Sequence, residues 1–153
     1  MIERKPQMLI KKEEVEKRLI EREKTIIALL LQEEVYEKIK PEIQVEDFKS
    51  EINKKILKRL YEEYEKGNSN INDILNYFIE AMSRITEIMA EDYQIKNDEK
   101  TIANIINTYK IEKLDNRKVE LLEKEQEQGI SQEEKEKIIE EINKIIIQKK
   151  MIK

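Results

Sequence analysis

The chain contains no histidine, no cysteine and no tryptophan, and its 153 residues include only two glycines and two prolines. Each absence removes a class of function. Zinc sites built from nitrogen or sulfur ligands, thiol nucleophiles, disulfide frameworks and histidine-based acid–base catalysis have no residues to work with. Without cysteine the redox compartment cannot be read, but a chain that needs no disulfide suits the cytoplasm. The longest apolar run is the short stretch Ile26–Leu31, far below the roughly 20 residues that span a bilayer, so no transmembrane segment is expected. The first residues, Met1 to Pro6, are charged and carry no signal-peptide core, which argues against secretion. No cofactor or metal is expected.

What is present is charge and periodicity. Charged residues make up 42% of the chain and hydrophobic residues 39%, and nearly all of the latter recur at helical spacing, so a packed core is expected and disorder is not. The net charge is −4, with lysines alternating with glutamates along most segments. Binding to phosphates needs a concentrated positive face, so direct nucleic-acid binding is not expected. The length fits one domain, or one domain with an appendage.

Scarce glycine and proline predict helices throughout. Val15, Leu19, Ile20, Ile26, Ile27, Leu30 and Leu31 form a wide apolar stripe over 13–32, the mark of a central helix. A short helix at 34–40 ends before Pro41. Ile52, Ile56, Leu57, Leu60 and Tyr64 define a helix over 50–66, closed by Gly67-Asn68. Asn70 can cap the next segment, where the spacing 71, 75, 78, 82, 85, 89 reads as one continuous helix over 71–91. The stretch 91–98 reads as a loop, with Asn97 or Asp98 as the following cap.

The last third carries two long helices, 98–128 and 132–150, separated by Gly129 and Ser131. The apolar stripe changes face partway along the first. Ile102, Ile105, Ile106 and Tyr109 lie on one side, and Ile111, Leu114, Leu121 and Leu122 centre on the opposite side. Any bend or hinge is expected near Tyr109–Ile111. Ser131-Gln-Glu-Glu134 matches a capping box, and Ile138, Ile139, Ile142, Ile145 and Ile146 give the last helix a face that can meet Leu114, Leu121 and Leu122. The expected fold is all-α: a helical bundle over 1–109, its first 13 or so residues a linker, then a projecting antiparallel helical hairpin over 110–153. The two share the long connecting helix.

The ordered phrases Glu23-Lys-Thr-Ile-Ile-Ala-Leu-Leu-Leu-Gln32, Tyr36-Glu-Lys-Ile39, Glu46-Asp-Phe48 and Ile52-Lys-Lys-Ile56-Leu57 resemble the C-terminal helicase-binding region of bacterial DNA primase. Asp98-Glu-Lys-Thr-Ile-Ala-Asn-Ile-Ile106, Lys113-Leu114 and the isoleucine-rich last helix are similar in order and placement to that region's final helices. The resemblance covers roughly residues 14–150, through apolar spacings and short phrases. It implies a bundle that modulates the hexameric replicative helicase and a hairpin that attaches to the helicase N-terminal domains. It also implies a helix break near Ile79–Ala81. No zinc-binding module or acidic polymerase core has a counterpart here, so the chain is expected to recruit rather than catalyse. The alternatives are the N-terminal domain of the helicase itself, within the same machinery, and a helical protein-interaction module of other function. A helicase fragment would ordinarily run on into a linker and motor, whereas this sequence ends after the isoleucine-rich helix, which suits primase.

Candidate interface residues are the apolar groups that lack an obvious partner on the hairpin, namely Ile130, Ile147, Met151 and Ile152, with Lys149 and Lys150 as a charged rim. The competing account is a frayed terminus and a turn residue tucked into its own hairpin. Glu133, Glu134, Glu140 and Glu141 read as a solvated face, not a cation site, and the tyrosines at 61, 64, 77, 93 and 109 read as packing residues. A projecting hairpin could also exchange between protomers and give a dimer.

Overall fold

With so few residues able to stop a helix, the backbone bonds locally wherever it can. The computed structural model describes residues 4–70, 73–74, 82–90 and 98–152. Six α-helices run through them: α1 (Arg4–Leu30), α2 (Tyr36–Ile39), α3 (Glu51–Glu65), α4 (Met82–Ala90), α5 (Glu99–Glu125) and α6 (Gln132–Met151). Short 3-10 turns at Glu33–Val35 and Val45–Asp47 link the early helices, and no strand occurs among the described residues. None of the described helices is long and apolar enough to cross a membrane.

The helix ends follow the local chemistry. Ser50 caps α3, its Oγ accepting from the Asn53 N–H at 3.3 Å. Gly67, at φ 85°, ends α3 as the left-handed residue, with Asn68 N–H donating to Glu63 O at 2.9 Å and Gly67 N–H to Tyr64 O at 3.0 Å. Asn70 Oδ1 accepts from Asp73 N–H at 3.3 Å, and Asp98 Oδ1 accepts from Thr101 N–H at 2.8 Å, so both expected caps form. The expected break near Ile79–Ala81, the continuity of 71–91, the loop 91–97 and the tyrosines at 77 and 93 lie outside the described residues, α4 excepted.

Two differences from the sequence reading concern the N-terminus and the domain border. Helix α1 begins at Arg4, where the apolar stripe would start it near residue 13. Pro6 is compatible with this because a first-turn residue has no intrahelical N–H bond to lose. The chain then forms two compact units, Ile20–Ile106, and Met1–Leu19 together with Asn107–Lys153. The expected border at 109–110 therefore lies just upstream, between Ile106 and Asn107, and residues up to Leu19 belong with the C-terminal helices. Periodicity runs unbroken through Leu19 and Ile20, so it cannot reveal that one helix serves two units.

In the unit Ile20–Ile106, α1, α3 and the segment between them close over Ile26, Ile27, Leu30, Ile39, Ile43, Phe48, Ile56, Leu57 and Leu60, all buried. Polar groups pin this core. The Glu23 carboxylate, 0% exposed, accepts from Lys49 N–H at 2.5 Å, Ser50 N–H at 3.2 Å and Asn53 Nδ2 at 3.1 Å, and so fastens the start of α3 to α1. Its neighbour Lys24, 1% exposed, pairs through Nζ with Glu87 of α4 at 2.6 Å and with Glu21 at 3.2 Å. A buried ammonium without such partners would be prohibitive. Tyr61 donates to Ile43 O at 2.8 Å and Tyr64 to Leu30 O at 2.5 Å, with both rings against Tyr36. Tyr61, Tyr64 and Tyr109 are all buried, in keeping with the reading of them as packing residues.

Candidate docking surface

The other unit centres on α5 and α6. After Glu125 the chain turns through Gly129, at φ 85°, and Ser131 Oγ accepts from the Glu134 N–H at 3.2 Å to start α6. Leu121, Ile138 and Ile145 form the buried centre, with Leu114, Ile130 and Ile142 packed around it. Polar ties flank this seam. Lys149 Nζ bonds Asp115, and Arg117 Nε meets Glu141 at 3.1 Å. The pairs 115 with 149 and 117 with 141 show α6 returning antiparallel along α5. The Glu141 carboxylate, bonded to Arg117, raises the guanidinium's pKa further.

The opposite side of α5 is also covered. Asn116 and Val119 are buried, and Lys12 of α1 pairs with Glu123 at 2.7 Å, a bond that raises the Lys12 pKa. Asn116 Nδ2 donates to Glu120 at 2.9 Å. This second covered face is one that sequence reasoning missed, because Glu112, Lys113, Glu120 and Glu123 interrupt it and leave no apolar period to see.

The expected interface residues divide. Ile147 and Met151 are 59% and 81% exposed, and Lys150 is exposed beside them. Ile130 is a correction: it has an intramolecular partner, because the Gly129 turn delivers it onto the Leu121–Ile138–Ile145 centre. Lys149 is a second correction, being half-buried and tied to Asp115 across the seam instead of forming a free rim. Ile152 is half-buried, its N–H ending α6 on Gln148 O.

Two further residues join the exposed set. Ile139 and Ile146, expected to face α5, are 47% and 37% exposed. The signal was in the stripe's width, since residues 138, 139, 142, 145 and 146 subtend about 120° of helix surface, more than one packed neighbour covers. Ile139 and Ile146, seven residues apart, make one row and Ile147 and Met151, four apart, a second, so the four side chains spread over about 140° of the surface of α6, its outer strip. Among the described residues no group of three or more histidine, cysteine, aspartate or glutamate side chains could hold a metal ion. What this surface can offer is apolar area edged by mixed charge, which suits binding to a protein. Compared with known protein families, curated proteins and solved structures, the chain matches none.

Proposed function

We propose that this chain is a helicase-docking module of the kind bacterial DNA primase carries, with α6 as its attachment element and the N-terminal domains of a hexameric replicative helicase as its partner. The observation that carries the reading is the outer strip of α6. Four large apolar side chains, Ile139, Ile146, Ile147 and Met151, stay exposed on a helix whose inner face is already packed on α5. Leaving so much apolar surface wet on one element is unfavourable unless a partner covers it. The ordered phrases over residues 23–57 and 98–114 support this choice of partner, because their resemblance is to a region that binds this helicase. On this reading the unit Ile20–Ile106 modulates the helicase, primer synthesis belongs elsewhere in primase, and the module itself has no turnover.

The test is capture of the full chain on immobilised helicase hexamer. Ile147→Asp with Met151→Asp should abolish capture while the circular dichroism spectrum is unchanged, since both side chains point outward. Lys149 is left alone because its bond to Asp115 holds α6 to α5. Undiminished capture of the double variant would overturn the assignment of the site.

A further inference from the structure

The charges of α6 are segregated along its length. Residues 132–141 include five carboxylates and two lysines, whereas residues 142–152 hold three lysines and no carboxylate. Along the outer strip, Glu136, Ile139, Asn143, Ile147 and Lys150 are all exposed and fall within about 80° of one another around the helix. Their spacing, three, four, four and three residues, is a palindrome centred on Asn143, with an acid at one end and a base at the other. Neither Glu136 nor Lys150 takes part in an ion pair among the described residues.

We infer that the outer face of α6 pairs antiparallel with α6 of a second copy, about a two-fold axis passing Asn143. An isologous contact requires that residue i meet j while j meets i, and a strip of palindromic spacing and opposed end charges satisfies this with no other partner. The axis sets Ile139 against Ile147 of the other copy, Glu136 against its Lys150, and the two Asn143 carboxamides against each other, each donating an N–H to the other's oxygen. Antiparallel alignment also opposes the two helix dipoles. The contact is small, so the pairing is weak, with a dissociation constant on the order of 100 µM. It does not rest on the helicase reading, although it uses an overlapping face and would compete with a partner there.

Sedimentation equilibrium of the chain alone, from about 10 µM to 1 mM, tests it across that affinity range. The wild type should move from monomer to dimer. Glu136→Lys and Lys150→Glu should each weaken self-association about tenfold by setting like charges opposite one another at two symmetric places. An equimolar mixture of the two variants should recover the dimer, because each then meets its complement, and the chain carrying both changes should recover it too. A monomer at every concentration overturns the proposal. So does a dimer indifferent to these changes, as hairpin exchange would give. Either result leaves capture by the helicase to be judged separately.

Discussion

Glu23 serves α3 from outside that helix: a side chain on α1 takes the N–H groups of Lys49 and Ser50 and the amide of Asn53. Removing the carboxylate strands the buried Asn53 amide and two part-buried backbone N–H groups, and an unsatisfied buried donor costs about 1–3 kcal/mol. Glu23→Ala should therefore lower the unfolding free energy in urea by about 3 kcal/mol or more, beyond what an exposed glutamate would cost. Tyr61 sets a limit at high pH. Burial pushes its phenol well above the ordinary value of 10.0, with Tyr36 and Asp47 adding to the shift. A group that holds its proton more tightly when folded contributes full stability below its unfolded pKa, and that contribution is lost as pH rises beyond it. Stability should thus hold up to about pH 10 and then fall, and a Tyr61→Phe chain, having no phenol to ionise, should show a shallower alkaline loss. The burial of Glu23 and Lys24 was not legible in the sequence, where adjacent acid and base look like any other solvated pair on a charged helix.

Helix α5 shows how far periodicity reaches. Ile102, Ile106 and Tyr109 are buried as their spacing predicts, and Leu121 meets Ile138 and Ile145 on the opposite side. Residues 109–111, where the apolar stripe changes face, lie inside the continuous helix Glu99–Glu125. The covered side bearing Asn116 and Val119 escaped detection because polar residues make half of it, and so did the role of α1 residues before Leu19. On α6 the apolar pattern identified the helix but assigned too much of it inward. The two kinds of isoleucine separate by mutation. Leu121→Ala, which opens a cavity at the α5–α6 seam, should cost about 2–3 kcal/mol in urea denaturation. Ile139→Ala on the outer strip should change stability by no more than about 0.5 kcal/mol. Equal costs would mean that Ile139 is packed and the strip is not a free surface.

At the scale of the whole chain, the all-helical class followed from the scarcity of glycine and proline, and the exclusion of histidine and cysteine chemistry followed from inventory. The assignment of residues to two compact units did not, since long helices with continuous patterns belong to both. The net charge of −4, spread among alternating signs, suits binding to a protein better than to a polyanion. The docking account is tested most directly by size-exclusion chromatography with light scattering on the wild-type chain mixed with the replicative helicase of the same organism. It predicts a species heavier than the hexamer by one or more copies of 18.5 kDa. A hexamer and a free chain eluting separately at micromolar concentrations, where stable protein partners associate, would contradict it.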